Sequence, residues 1–179
     1  MKFVVCITGK IGTGKSTVSS FFEKKGFEYL NMDEIGHHVF SQLKETIKKE
    51  FGTLERKEIS NIVFNDPEKL KKLEEILHPK MLQILNIKTK EEKLYIVEAA
   101  IKRRLKIQCD LTITVIAKKE VIIERLKRKG LTVSTIEKIL SAQRDILPEG
   151  LIIDNSSSLE KLTEKLECIY HFIKKSMNF

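Results

Sequence analysis

The stretch "FVVCITGKIGTGKST", residues 3–17, decides the fold of this chain. An apolar run leads directly into Gly9–Ser16, which satisfies the pattern GxxxxGK[ST], and a segment of helical periodicity follows. A strand, a glycine-rich loop and a helix in this order make a P-loop, in which successive backbone N–H groups surround phosphate oxygens at the positive end of the helix. The stretch therefore predicts a nucleotide-binding α/β domain.

Several residues of the loop have an expected task. Lys15 is expected to reach the β- and γ-phosphates of ATP, and the Ser16 hydroxyl to ligate Mg²⁺. The residues predicted to bind ATP are Gly9, Lys10, Ile11, Gly12, Thr13, Gly14, Lys15, Ser16 and Thr17. The alternative is an accidental glycine-rich turn, but a chance match is roughly a one-in-a-hundred event at typical residue frequencies. The flanking strand and helix make that alternative weaker still.

Four further short apolar runs follow, at 27–31, 94–99, 111–117 and 151–154, and segments of helical periodicity separate them. Runs that are apolar on both sides fit strands of a parallel sheet with helices on both faces. The first helix is predicted from Lys15 to about Lys25, closing at Gly26, and an amphipathic helix is predicted from Ser158. The fold class is α/β, with a five-stranded parallel sheet.

Composition favours a single soluble domain with anionic ligands. The chain has 179 residues and a net charge of +8, and its basic residues are interleaved with glutamates on helical patterns instead of forming an arm for nucleic acid. No segment resembles a signal peptide or a membrane span. Three scattered cysteines, Cys6, Cys109 and Cys168, predict neither a disulfide framework nor a zinc site, so a reducing cytoplasmic compartment is expected. The Lys and Glu content fits either a thermophile or a lysine-rich genome.

Two carboxylates follow strands and are candidates for chemistry. Asp33 comes two residues after the second apolar run, where it could accept a proton from an attacking hydroxyl or only cap the next helix. Glu98 closes the third run, where it could orient a water bound to Mg²⁺ or be only a charge at the end of a strand. The segment "DEIG" at 33–36 also matches the DxxG of GTP-binding switches, but the chain has no NKxD for guanine.

At this point the sequence resembles the dephospho-CoA kinases, a family of P-loop small-molecule kinases. The resemblance runs almost end to end and rests on the order and spacing of several short motifs. These are Thr8–Thr17, Asn31-Met32-Asp33 with His37, Phe51-Gly52, "VFND" at 63–66, "LEEILHP" at 73–79, Arg125 with Arg128 and Gln143, and Ile153-Asp154-Asn155. The chain departs from the family pattern at Lys10, Asn31, Ala100 and Ile139, and Lys138 and Arg144 are the candidates to replace the lid arginine missing at 139.

The resemblance implies a nucleoside-monophosphate-kinase-like core at 1–32, 94–118 and 148–179. It also implies a helical acceptor-binding insert at 33–93 and a helical lid at 119–147. The implied reaction moves the ATP γ-phosphoryl group to the ribose 3′-hydroxyl of dephospho-CoA, with Mg²⁺ as cofactor. The implied catalytic residues are Asp33, which would act as the base, and Lys15, Arg125 and Arg128. Asn155 is implied as a further ATP-binding residue. The implied acceptor-binding residues are Thr8, Asp33, His37, His78, Pro79 and Glu98.

Other interpretations stay open at this stage. Without the resemblance, His78-Pro79 is more typical of a helix break, and Arg125 and Arg128 would be solvated charges. The enzyme could phosphorylate another nucleotide or nucleoside, or the chain could be a non-catalytic ATP-sensing module. A small-molecule substrate without nucleic acid or membrane is expected, and the protein is expected to be a monomer or a small homo-oligomer.

Overall fold

The computed structural model describes residues 1–177 and divides the chain into two compact units. The first, here called the sheet unit, comprises Met1–Leu30 and Glu92–Phe179. The second, here called the helical unit, is the continuous segment Asn31–Glu91.

The five predicted strands are all present and form one sheet. They are β1 (Phe3–Thr8), β2 (Glu28–Asn31), β3 (Leu94–Glu98), β4 (Leu111–Ile116) and β5 (Leu151–Asp154), in the spatial order β2-β3-β1-β4-β5. Strand β1 pairs in parallel with β3 and β4, and β4 pairs in parallel with β5. The P-loop strand is therefore central, and the loop after it leaves the sheet between β3 and β4, as ligand loops of open parallel sheets do.

Within the described residues, eight helices connect the strands and a ninth follows β5. They are α1 (Lys15–Lys24), α2 (Met32–Gln42), α3 (Lys44–Phe51), α4 (Arg56–Asn65), α5 (Pro67–Lys88), α6 (Lys102–Leu105), α7 (Lys119–Arg128), α8 (Val133–Ala142) and α9 (Leu159–Ser176). Two of the predicted helix ends are confirmed. Gly26 follows α1 with a φ of +92°, and the Ser158 side chain caps α9 by accepting a hydrogen bond from the Lys161 N–H.

The core of the sheet unit explains why the central strands are apolar on both faces. Side chains from β1, β3 and β4 are fully buried, and α1 and α9 contribute Phe22, Leu166 and Ile173 to the same cluster. Burial of a side chain of this size stabilises the fold by about 1.5–3 kcal/mol. The prediction of a covered parallel sheet is confirmed because both faces of the central strands are removed from water.

The helical unit contains α2 to α5, and its longest helix corrects one interpretation. Helix α5 begins with Asp66 as its cap and Pro67 in the first turn, and it continues without interruption through Pro79. Interpreting His78-Pro79 as a helix break is therefore wrong. An interior proline removes one backbone hydrogen bond, and the Pro79 side chain is exposed to solvent. Helices α2 and α5 pack closely enough that a β-carbon on Gly36 would lie 3.2 Å from the Met81 methyl group.

A disulfide between Cys6 and Cys109 corrects the prediction that the cysteines stay unpaired. Their α-carbons lie 5.9 Å apart although the residues are separated by 103 positions in sequence. Cys6 is on β1, and Cys109 stands two residues before β4, which pairs with β1. Parallel pairing thus brings together two cysteines whose sequence spacing carries no signal. Cys168 is free and exposed. Within residues 1–177, no helix is long and apolar enough to cross a membrane.

Candidate active site

The P-loop is held by its own hydrogen bonds. The carbonyl oxygen of Lys10 accepts from the Lys15 ammonium at 3.2 Å and from the Thr13 hydroxyl at 2.9 Å. Gly14 has a φ of +98°, and a β-carbon there would lie 2.2 Å from the amide nitrogen of Asn155. Only glycine fits this position, because the backbone turns where side chains are disfavoured and a neighbouring residue fills the space.

Asn155, a predicted ATP-binding residue, fastens the loop to the end of β5. Its side-chain amide donates to the Thr13 carbonyl at 2.8 Å, its backbone N–H donates to the Ile116 carbonyl at 2.8 Å, and the residue is buried. The hydrogen bond from the Ser156 hydroxyl lowers the pKa of the preceding Asp154 carboxyl below its usual value. The segment after β5 is therefore a folded turn that supports the P-loop.

The two predicted lid arginines have different surroundings. The Arg125 guanidinium donates to the carbonyls of Asn155 (2.8 Å), Thr13 (3.3 Å) and Gly12 (3.4 Å). Arg128 is exposed and forms an ion pair with Glu124 on the same helix. One arginine is part of the P-loop's supporting network, whereas the other lies at the surface of α7.

The tip of the P-loop is attached to the helical pair α7 and α8. The Ile11 N–H donates to the side-chain oxygen of Gln143 at 2.9 Å, and Gln143 is the C-cap residue directly after α8. The Ile11 side chain packs against the buried cluster of Ile122, Leu126 and Ile136. The segment predicted as a lid thus rests on the loop through both a polar and an apolar contact.

Glu98 ends β3 and lies opposite Ile7 of β1 in the sheet register. Its carboxylate oxygen Oε2 accepts from the Tyr29 hydroxyl at 2.9 Å and from the Ser19 hydroxyl at 3.0 Å. Ile7 is two residues before the P-loop begins, so the register places Glu98 beside the loop.

A cavity of about 480 Å³ opens over the P-loop. The predicted site residues that line it are Ile11, Gly12, Gly14, Lys15, Ser16, Thr17, Glu98, Arg125, Arg128 and Asn155. Sequence reasoning missed four others, namely Lys129, Ser157, Leu159 and Leu162. The two leucines belong to the amphipathic helix predicted from Ser158, whose pattern does not indicate a ligand site, and Lys129 has no signal beyond its place next to Arg128. The volume is in the range of small-ligand sites.

Other predicted residues lie away from this cavity. Gly9, Lys10 and Thr13 shape the P-loop without lining the space. The Thr8 hydroxyl donates to the Ala100 carbonyl at 3.2 Å, and Thr8 faces a second, much smaller cavity. Lys138 and Arg144 are exposed and do not line the P-loop cavity.

The remaining predicted residues belong to the helical unit. Asp33 is the second residue of α2, it is exposed, and within residues 1–177 its carboxylate accepts no hydrogen bond. The helix cap is Asn31, whose side-chain oxygen accepts from the Asp33 N–H at 2.8 Å, so the interpretation of Asp33 as the cap is wrong. His37 is exposed one turn further along α2, and His78 is half-buried on α5 next to Pro79.

The donor set around the P-loop fits a metal ion that arrives with phosphate. Among residues 1–177 there is no group of three or more His, Cys, Asp or Glu side chains suited to a metal ion. The cavity nevertheless contains the Ser16 hydroxyl and the Glu98 carboxylate, both of which are oxygen ligands of the kind Mg²⁺ prefers. Mg²⁺ is commonly bound by one or two such groups together with substrate phosphates.

Comparison with known proteins finds a matching family model, similar sequences and similar structures. Residues 3–160 match the family model for dephospho-CoA kinase. A dephospho-CoA kinase of Aquifex aeolicus is 33% identical, with 92% of this chain and 94% of the relative covered, and one of Borreliella burgdorferi is 35% identical, with 90% and 91% covered. A Thermus thermophilus crystal structure superposes with a TM-score of 0.81 at 28% identity, covering 95% of this chain and 97% of that one. A dephospho-CoA kinase from Campylobacter jejuni gives a TM-score of 0.62 at 26% identity, with 96% and 97% covered.

Proposed function

The chain belongs to the dephospho-CoA kinase family, and we propose that it transfers the γ-phosphoryl group of ATP to the ribose 3′-hydroxyl of dephospho-CoA. The observation that carries the proposal is the P-loop cavity, where Lys15, Ser16, Glu98 and Arg125 line one space of about 480 Å³. The reaction forms a bond between the 3′-oxygen and the γ-phosphorus, and it breaks the bond between the γ-phosphorus and the β–γ bridging oxygen. ADP leaves, and the hydroxyl proton passes to a base.

The P-loop residues are proposed to hold and neutralise the triphosphate. The backbone N–H groups around Gly14 and the start of α1 favour negative charge. The Lys15 ammonium rests on the Lys10 carbonyl, within the same loop, and it can exchange that partner for the stronger interaction with β- and γ-phosphate oxygens. Stabilising charge that moves toward the bridging oxygen is the main contribution that a kinase makes to this step.

The metal requirement is proposed from the same cavity. Ser16 and Glu98 are the residues that would hold Mg²⁺ together with ATP. When bound, Mg²⁺ neutralises charge on the phosphate oxygens as the reaction proceeds. Glu98 is suited to binding Mg²⁺ because two hydroxyl groups fix its carboxylate, and because no lysine or arginine within residues 1–177 forms an ion pair with it.

Asp33 is proposed as the general base for the 3′-hydroxyl. Its carboxylate is exposed, and because Asn31 already caps α2, the Asp33 side chain is available to a ligand. Carboxylates that accept a proton in this way typically accelerate a reaction about 10²- to 10⁴-fold. His37, His78 and Pro79 are proposed to contribute to binding dephospho-CoA, and α7 and α8 are proposed to act as the lid.

An acceptor panel tests the function. The protein is incubated with ATP, Mg²⁺ and dephospho-CoA, AMP or adenosine; ADP release is followed, and the product is identified by mass spectrometry. We expect dephospho-CoA to give the highest kcat/KM and CoA to be the product. A higher kcat/KM with AMP or adenosine would assign a different acceptor, and ATP binding without ADP release from any acceptor would indicate a sensing module.

A further inference from the structure

The carboxylate of Glu98 is anchored through one of its two oxygens. Both hydroxyl donors, Ser19 and Tyr29, reach Oε2, at 3.0 and 2.9 Å. The other oxygen, Oε1, accepts no hydrogen bond from residues 1–177, and Glu98 lines the P-loop cavity. The carboxylate is therefore held on one side and open on the other.

The two donors are themselves held by the core of the sheet unit. Ser19 is fully buried and lies four residues after Lys15 on α1, which places the two side chains on the same face of that helix. Tyr29 is on β2, the neighbour of β3, and its ring packs against the main hydrophobic cluster. Neither hydroxyl lines the cavity, so both are available to Glu98 whether or not a nucleotide is bound.

We propose that Ser19 and Tyr29 are positioning residues that fix the Glu98 carboxylate so that Oε1 serves the Mg²⁺–ATP complex. The last side-chain torsion of a glutamate is broad, so an unanchored carboxylate samples many orientations. Hydrogen bonds to an ionised group are roughly twice as strong as neutral ones, and two of them on one oxygen restrict that torsion. The inference rests on the proposed function only in taking ATP with Mg²⁺ as the ligand, and it does not depend on which acceptor is used.

Calorimetric titration with a non-hydrolysable ATP analogue tests the proposal without turnover. The readout is the ratio of the affinity with Mg²⁺ to the affinity with EDTA. In Tyr29→Phe and in Ser19→Ala we expect this ratio to fall about tenfold, which is the loss typical for one hydrogen bond to a charged group. The affinity in EDTA is expected to stay at the wild-type value, because the P-loop is unchanged.

Matched controls separate the network from general effects of removing a hydroxyl. Tyr170→Phe removes the hydroxyl of a half-buried tyrosine on α9, and Ser20→Ala changes the exposed neighbour of Ser19. Both are expected to keep the wild-type ratio. In a Glu98→Gln background, Tyr29→Phe should add less than about a twofold change, because its effect passes through the carboxylate.

Two outcomes would overturn the inference. In the first, Tyr29→Phe and Ser19→Ala lower the melting temperature but leave the Mg²⁺ ratio unchanged, so the network is structural only. In the second, Tyr29→Phe reduces the ratio equally with Glu98 and with Gln at position 98. Failure of the proposed function gives a different result. In that case the acceptor panel yields no CoA, while Tyr29→Phe and Ser19→Ala still lower the ratio of the affinity with Mg²⁺ to the affinity with EDTA.

Discussion

The sheet unit and the helical unit present their proposed functional side chains in opposite ways. Around the P-loop, Asn155 and Arg125 donate hydrogen bonds to backbone carbonyls of the loop, and the Glu98 carboxylate accepts hydrogen bonds from two hydroxyls. In the helical unit, Asp33 and His37 project from α2 into solvent. One set is fixed before any ligand arrives, and the other is free to make its contacts with the ligand.

This difference has a physical origin in the groups that are to be recognised. A triphosphate is small and highly charged, so a preorganised cradle of N–H groups and cations gains most when nothing has to move. Changes to the phosphate-binding residues should therefore disturb binding, catalysis and stability together. Changes to Asp33 and His37, the exposed residues with a proposed role in the helical unit, should alter activity without altering stability.

The largest effect is expected for Lys15→Ala. Removing the ammonium should lower kcat by about 10³-fold or more, because a single donor aimed at developing charge is typically responsible for 10²- to 10³-fold and this donor is fully charged. The measurement is ADP formation with saturating dephospho-CoA. The matched control is Lys24→Ala, at the exposed end of the same helix, which should keep the wild-type rate. Turnover of Lys15→Ala near the wild-type rate would contradict the proposed role of the P-loop.

The second-largest effect tests whether a change in the helical unit lowers the reaction rate without lowering stability. Asp33→Asn keeps size and removes charge and basicity, so kcat should fall about 10²- to 10⁴-fold while the melting temperature and ATP affinity stay constant. Glu34→Gln, the exposed neighbour in the same first turn of α2, is the control and should be nearly silent. A normal rate for Asp33→Asn would remove Asp33 from the mechanism.

The sequence predicted the sheet more completely than the site. All five strands lie within about one residue of their predicted limits, because runs that are apolar on both faces have few alternative structures. The loop glycines were also evident from their pattern. The contacts that join distant segments had no such signal: Cys6 meets Cys109, and Ile11 meets Gln143, only because β1 is central in the sheet.

Two wrong predictions concern a helix cap and a helix break, where packing in the folded protein outweighs the local sequence preference. Asp33 and Asn31 are both good helix caps, and the structure uses Asn31, so α2 begins at Met32, two residues earlier than a cap at Asp33 would require. Pro79 predicts a break by itself, yet α5 continues through it. In both cases the local preference is about 1–3 kcal/mol, which packing of a long helix can outweigh.

The third prediction contrasts the two arginines of α7. Arg125→Lys keeps the charge but loses the planar fork that reaches three carbonyls, so KM for ATP should rise about tenfold and the free energy of unfolding should fall by about 1–3 kcal/mol. Arg128→Lys, at an exposed ion pair, should change stability by less than about 0.5 kcal/mol. Thermal unfolding and ATP titration measure both variants. Equal stability losses would mean that the Arg125 network adds nothing to the fold.

The fourth prediction concerns the cap of α2 and sharpens the prediction for Asp33. Asn31→Ala removes the acceptor for the Asp33 and Glu34 N–H groups, so the free energy of unfolding should fall by about 1 kcal/mol. Asn31→Asp retains an acceptor and should keep wild-type stability. Chemical denaturation of the three proteins gives the comparison. If Asn31→Ala lowers kcat as much as Asp33→Asn without loss of stability, the base cannot be assigned to Asp33 alone.

The smallest effect is expected where the family pattern has an arginine and this chain has Ile139. Lys138 and Arg144 are the nearest cations in sequence, but both are exposed and neither lines the P-loop cavity, whereas Arg125, Arg128 and Lys129 do. With Lys15, four cations already line that space, so Lys138→Ala and Arg144→Ala should each change kcat and KM for ATP by less than about twofold, as surface substitutions usually do. Lys129→Ala provides the contrast and should raise KM for ATP more than either. A tenfold fall in kcat for Lys138→Ala or Arg144→Ala alone would show that α8 or the segment directly after it supplies a cation to the reaction that does not line the cavity in this structure.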